Sequence, residues 1–130
     1  NLTAFRSHEF SYVKEELLAI REQVPSAIFK VIIEAPQLTE QEICQAVDLC
    51  VEGRADYVKT STGWYPGCPS TVEQVRIMSE AAKGRIRIKA AGGVAFRSGP
   101  PVESAVWKLY RKCRKPAVAV SVWECGRYRI

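Results

Sequence analysis

What this 130-residue chain lacks narrows its chemistry before any motif is read. None of its five cysteines, Cys44, Cys50, Cys68, Cys113 and Cys125, stands in a C-x-x-C pair, so a zinc site or dithiol redox motif has no support. Histidine occurs once, as His8 in a polar opening segment, where it reads as solvated rather than as an acid–base centre. No apolar run approaches the roughly 18–20 residues that cross a bilayer, and no membrane partner is expected. The opening "NLTAFRSHEF" has neither a basic start followed by an apolar stretch nor a cleavage pattern, so no secretory signal is read there. Cys44 and Cys50 fall in an amphipathic helical pattern that predicts buried, reduced thiols and hence a cytoplasmic setting.

Apolar residues make up 47% of the chain and charged residues 25%, the balance of an ordinary globular domain or a piece of one. The net charge of +5 is unevenly placed. Residues 1–94 carry 11 Lys+Arg against 12 Asp+Glu, a net −1, whereas residues 95–130 carry 8 against 2, a net +6. Such a break suggests either a nucleic-acid-binding tail or a segment of different origin joined near Val94.

The first part alternates between two periodicities. "YVKEELLAIREQV" (12–24) spaces its apolar residues as a helix does, and Pro25 ends it. "AIFKVIIEA" (27–35) is a short β-branched run, expected to be a strand covered on both faces. Thr39 followed by Glu42 forms a capping box that opens a helix running to about Gly53. "ADYVKTST" (55–62) reads as a second strand. "STVEQVRIMSEAAKG" (70–84) repeats the cap, the amphipathic helix and the terminal glycine, and places Met78 on the apolar face. "RIRIKAAGG" (85–93) reads as a third strand. Helices and strands in alternation imply an α/β fold with parallel strands joined by right-handed crossovers.

Lys30, Lys59 and Lys89 lie 29 and 30 residues apart, one in each expected strand. Aligned strands would make all three lateral neighbours on one sheet. A single strand lysine is ordinarily a solvated edge residue. Three in successive parallel strands, whose faces are normally covered, point instead to chemistry. Clustered ammonium groups repel one another and lose hydration, and both effects favour the neutral amine. A neutral lysine attacks carbonyls and forms a Schiff base. The strands are followed by "TSTG" and "AAGG", at the carboxyl ends where ligands of such folds bind. Gly63, Gly92 and Gly93 there either simply turn the chain or let backbone N–H groups cradle an anion. Beside lysine-bearing strands the second reading is preferred, which implies a phosphorylated carbonyl substrate.

"VKTSTG" followed some thirty residues later by "IKAAGG", with "FKVIIEAPQLTEQEICQAVDLCVEGRADY" before them, resembles the deoxyribose-phosphate aldolases. These are class I aldolases with a TIM-barrel fold. The likeness covers residues 1–94 and implies a partial (β/α)8 barrel of about strands five to seven with their helices. It also implies Lys59 as the Schiff-base nucleophile and Lys89 as a second catalytic lysine assisting proton transfer. Lys30, Thr62, Gly63, Gly92 and Gly93 would bind the substrate. The implied reaction is reversible cleavage of 2-deoxy-D-ribose 5-phosphate to D-glyceraldehyde 3-phosphate and acetaldehyde, in deoxyribonucleotide catabolism. No metal or other cofactor is implied, because the protonated imine serves as electron sink. A homo-oligomer is compatible with the family. Glu34 either orients a lysine or pairs with one, and Trp64 and Tyr65 read as loop-packing aromatics.

The resemblance also marks departures. The family's catalytic aspartate stands on the fourth strand, and the chain starts after the position expected for it. The arginine expected beside "GGV" is displaced to Arg97 by Ala95 and Phe96. The last strand, with its phosphate motif, is replaced by residues 95–130, expected to be an irregular basic tail outside the family pattern. Codons for "SVWECGRY", read one base later, permit Arg-Phe-Gly-Ser-Ala-Gly-Val, close to that last strand. A frame shift near residue 95 is the hypothesis this suggests for the tail. Two rival functions follow. One is an inactive aldolase remnant, since a half barrel leaves two raw sheet edges and an open core. The other, weaker, is a nucleic-acid-binding module built on "WKLYRKCRK" (107–115), whose cations and aromatics suit phosphates and bases but which Pro100, Pro101 and Pro116 interrupt.

Overall fold

The computed structural model describes residues 1–64 and 69–92 and the backbone of 118–120. The elements run α1 (Leu2–Arg6), α2 (Phe10–Gln23), β1 (Lys30–Ile32), a 3-10 turn (Ala35–Gln37), α3 (Glu40–Glu52), β2 (Tyr57–Lys59), α4 (Val72–Ala82), β3 (Arg87–Ala90) and β4 (Val118–Val120). All four strands are parallel and lie in sequence order, β1-β2-β3-β4. The alternation read from the sequence therefore becomes a parallel α/β sheet.

The capping box read at Thr39 forms, and the cap of α4 is a second one. The Thr39 hydroxyl accepts from Glu42 N–H while the Glu42 carboxylate accepts from Thr39 N–H at 2.7 Å, and Thr71 and Gln74 make the same exchange at α4. The Thr39 N–H holds the Glu42 carboxyl below its usual pKa. Each box satisfies orphan donors of the first helical turn. At the far end of α4, Lys83 is left-handed at φ 48° and Gly84 at φ 77°, which stops the helix.

One core joins the four helices to one face of the sheet. Val58, Ile88 and Ile33 point into it with Val47, Ile43, Met78 and Leu17. Cys50 is part of this core, and burial pushes its thiol up to about 12, so it is an inert space-filler rather than a nucleophile. Gly53 ends α3 where α2 crosses it, and a Cβ there would lie 2.5 Å from Leu17 Cβ. Among the described residues no helix is long and apolar enough to cross a membrane.

Three expectations need correction. The strand at 27–35 is not covered on both faces: Lys30 is exposed and Ile32 is 43% exposed, because the described helices pack on one face only. A further short helix, α1, precedes the long one, capped by the Asn1 side chain, which accepts from Ala4 N–H. The tail is not wholly irregular, since Val118–Val120 adds a fourth strand with Ile88 opposite Val118 and Ala90 opposite Val120. An apolar Val-Ala-Val triplet with two β-branched residues can extend an exposed parallel edge whatever its origin. The remainder of the tail, including Arg97 and residues 107–115, lies outside the described residues.

The entry to β1 is fixed by one ion pair. Arg21, on the last turn of α2, meets Asp56 at 2.5 Å and donates to the carbonyls of Arg54 and Ala27. Phe29 N–H donates to the same Asp56 oxygen at 2.7 Å, and the guanidinium lies over the Phe29 ring. The Phe29 N–H first, and Arg21 second, hold the Asp56 carboxyl below the usual range. A depressed carboxylate stabilises the fold above its unfolded pKa and loses that contribution as pH falls through the folded value. Asp56→Asn is therefore expected to cost about 1 kcal/mol at pH 7, discounted for partial exposure, with the difference from wild type shrinking below pH 4. Urea titrations at both pH values measure it, and an equal loss at each would contradict this account.

Candidate active site

The register decides which lysines meet. Lys59 stands opposite Lys89 in the β2–β3 ladder, and the two strands are joined beyond it by Thr60 N–H donating to the Lys89 carbonyl at 3.0 Å. Val58 and Ile88, one residue earlier, are buried in the core, so strand alternation turns Lys59 and Lys89 to the opposite, free face, where both are half-buried. Lys30 does not join them as a lateral neighbour. It stands opposite Tyr57, while Ile32 is the residue opposite Lys59. The lysine spacing suggested equivalence, but the connection after β1 is shorter in register: Ile32 to Lys59 is 27 positions, Lys59 to Lys89 is 30.

Lys30 thus belongs to a second layer, one step toward the amino ends of the strands. Its ammonium lies 5.7 Å from the Tyr57 ring centroid, and the Arg87 guanidinium lies 5.1 Å from the same ring and donates to its hydroxyl at 3.0 Å. None of Lys30, Lys59, Lys89 and Arg87 forms an ion pair among the described residues. The free face is accordingly electropositive, an arrangement that attracts anions.

At the carboxyl ends, the turns after β2 and β3 interlock. The carbonyl of Ala91 accepts from the hydroxyls of Thr60 at 2.7 Å, Ser61 at 2.9 Å and Ser70 at 2.7 Å, and Ala91 N–H returns a bond to Thr60 Oγ1. Ser70 N–H donates to the Gly92 carbonyl, bringing the entrance of α4 into the same cluster. Gly63 and Gly92 both have left-handed φ, 78° and 77°, and they touch: a Cβ on Gly92 would lie 3.1 Å from Gly63 Cα and 2.0 Å from Ser61 Oγ. Only glycine fits there without moving backbone. Gly93 and Tyr65 lie outside the described residues. Trp64 is 85% exposed and so does not pack the loop as read from the sequence.

Glu34 is the residue whose role the sequence did not reveal. It neither orients nor pairs with a lysine among the described residues. Its buried carboxylate accepts from both Thr62 N–H, at 3.1 Å, and Thr62 Oγ1, at 2.6 Å, so Thr62 is tied to the end of β1. The only hint available was position: an acid at the carboxyl end of a strand, two residues before a proline. A separate apolar cavity of about 80 Å³ lies on the helix side beside β1, lined by Phe5, Leu17, Val31, Leu49 and Cys50. Neither Lys59 nor Lys89 lines it.

A parallel α/β sheet turns a lysine pair to its free face, below two interlocked glycine turns. Comparison with known proteins shows which sequences share this segment. The chain is 50% identical over 94 residues to deoxyribose-phosphate aldolase of Aquifex aeolicus, spanning 72% of this chain and 42% of that one. It is 47% identical over 81 residues to the enzyme of that name from Corynebacterium glutamicum, 62% of this chain and 36% of the relative. A solved aldolase structure superimposes with a TM-score of 0.70 at 50% identity, covering 72% of this chain and 42% of the other. No protein-family model matches. Over the matched segment the chain is a homologue of deoxyribose-phosphate aldolase, and it spans less than half the length of these relatives.

Because Gly92 is held against Ser61 and Gly63, Gly92→Ala is expected to lower stability by about 2–3 kcal/mol, the sum of left-handed strain and overpacking. Gly84→Ala, also left-handed but with nothing within 4 Å of the added Cβ, should show the strain alone. Denaturant midpoints compare the two, and equal losses would mean that the Gly63–Gly92 contact contributes nothing.

Proposed function

We propose that the chain carries the lysine half of a class I aldolase site acting on 2-deoxy-D-ribose 5-phosphate, within a (β/α)8 barrel of which β1, β2 and β3 correspond to strands five to seven. The observation that carries this is the Lys59–Lys89 register pair beneath the Gly63–Gly92 turns. Homology to relatives named for this activity supports the same reading.

In this mechanism the neutral Lys59 amine attacks the sugar's carbonyl carbon, and loss of water gives an iminium ion. The iminium accepts the electron pair of the breaking carbon–carbon bond, releasing D-glyceraldehyde 3-phosphate. The enamine left on Lys59 takes up a proton, and water frees acetaldehyde and the amine. Lys89, directly opposite, moves protons to and from the reacting atoms. Gly63 and Gly92, with Gly93, hold the phosphate at the carboxyl ends of the strands, while Thr62, whose N–H and hydroxyl both donate to Glu34, supports the turn rather than touching the anion. Lys30 contributes positive charge from the layer below and attracts the substrate rather than touching its carbonyl.

The chain from residue 95 onward is read as a separate basic segment of out-of-frame origin, supported by the change from net −1 to net +6. An aldolase that has lost turnover keeps the same site and is a second reading. The free face is open among the described residues, and open faces admit water to the iminium.

Incubating the purified chain with substrate and borohydride, then mapping the adduct by mass spectrometry, tests the proposal. One adduct per chain on Lys59, lost in Lys59→Met, is expected. An adduct without turnover would identify the inactive form. No adduct, or adducts spread over surface lysines, would remove the aldolase reading, and steeply salt-dependent nucleic-acid binding would then favour the tail.

A further inference from the structure

Glu34 is a titratable group, only 8% exposed, that the aldolase chemistry above does not use. Its backbone is left-handed, φ 43° and ψ 51°, a conformation that glutamate adopts only when its surroundings impose it. The residues on either side are tied to β2: Ile33 N–H donates to the Lys59 carbonyl at 3.1 Å and Ala35 N–H to the Thr60 carbonyl at 2.6 Å. The carboxylate is thereby presented to the turn that follows Lys59. There it accepts both donors of Thr62, and Thr62 Oγ1 in turn accepts from Trp64 N–H at 3.2 Å. The hydroxyl proton is committed to Glu34, so its lone pairs are left for Trp64. Between these two engaged amides stands Gly63 N–H, which has no partner among the described residues.

We infer that Glu34 is a positioning residue for the substrate's phosphate: by occupying Thr62 and, through it, Trp64, it fixes the 62–64 turn so that Gly63 N–H is left to donate to the anion. Charge is part of the device. A carboxylate accepts more strongly than a neutral amide, and a buried one without its donors is costly, so the turn cannot open without leaving Glu34 unsatisfied. The inference rests on the aldolase reading, and it specifies how that site discriminates a phosphorylated sugar from a plain one.

The test uses the full chain as wild type, Glu34→Gln and Glu34→Ala. Amide exchange at Thr62 and Trp64 is followed by NMR, and borohydride trapping is measured against 2-deoxyribose 5-phosphate and against 2-deoxyribose. In Glu34→Ala, Thr62 exchange should quicken and half-saturation by the phosphorylated sugar should rise about tenfold, with maximal trapping on Lys59 unchanged. Half-saturation by the plain sugar should stay the same, and Glu34→Gln, which keeps an acceptor but not the charge, should fall between. Unchanged Thr62 exchange, or an equal shift for both sugars, would overturn the inference. If wild type traps no sugar, the aldolase reading fails on its own. Inorganic phosphate then decides: a Gly63 amide shift seen in wild type and lost in Glu34→Ala upholds the positioning role, and its absence in wild type ends it. Should Glu34→Ala unfold by circular dichroism, Glu34→Gln carries the same comparisons.

Discussion

The site depends on the register between β2 and β3. A slip of one residue would turn one of the two strands over, taking Lys59 or Lys89 into the helix-covered core and bringing Val58 or Ile88 onto the free face, since strand side chains alternate. The apolar face alone would resist that slip. Beyond the strands a second lock is added: three hydroxyls, from Thr60, Ser61 and Ser70, converge on the carbonyl of Ala91. Thr60 and Ser61 are fully buried, and each group left unsatisfied there would cost about 1–3 kcal/mol. The same bonds set the distance between the two turns, so that Gly63 and Gly92 meet. Lysine pairing and glycine contact are therefore consequences of one constraint.

The sheet has two unlike faces. One is packed by helices in the ordinary manner of a parallel sheet, and the other carries Lys30, Tyr57, Lys59, Arg87 and Lys89. Tyr57 lies between two cations and offers its ring to both, an arrangement that offsets part of their mutual repulsion without introducing an acid. Exposed Ile32, beside Lys59 in the ladder, is the sole aliphatic residue of β1, β2 and β3 on this face. A face so composed suits contact with a polar ligand better than closure by an apolar partner.

Much of this was legible in the sequence, for reasons that are local. The Thr39–Glu42 box needs only residues three apart, and it forms as read. Helix spacing and terminal glycines likewise placed α3 and α4 within a few residues. Three parallel strands follow from their alternation with helices, although each is shorter than its β-branched run, because the flanking residues leave the ladder for turns. The position of Lys30 was not legible. Equal spacing along a chain becomes equal height in a sheet only when both crossovers advance the register alike, and the 3-10 turn at Ala35–Gln37 belongs to just one of them. Glu34 escaped for a related reason: its partner is 28 residues away, and only the left-handed turn aims it there. Helix α1 is five residues long, below the length at which periodicity is readable.

Homology and geometry bear on different parts of the reading. Likeness to the Aquifex aeolicus enzyme selects one family but does not explain why a lysine should sit in a strand. The geometry explains the lysine without naming a substrate. Where they meet is the charge balance of the free face. The carboxylate nearest the turns, Glu34, is satisfied by Thr62 and leaves the cations uncompensated among the described residues. Had Glu34 paired with Lys59, Thr62 would have lost the acceptor that ties its turn to the end of β1. With Glu34 engaged by Thr62, no carboxylate among the described residues pairs with Lys59 or Lys89, and the free face keeps its positive field toward whatever anion approaches from the open side.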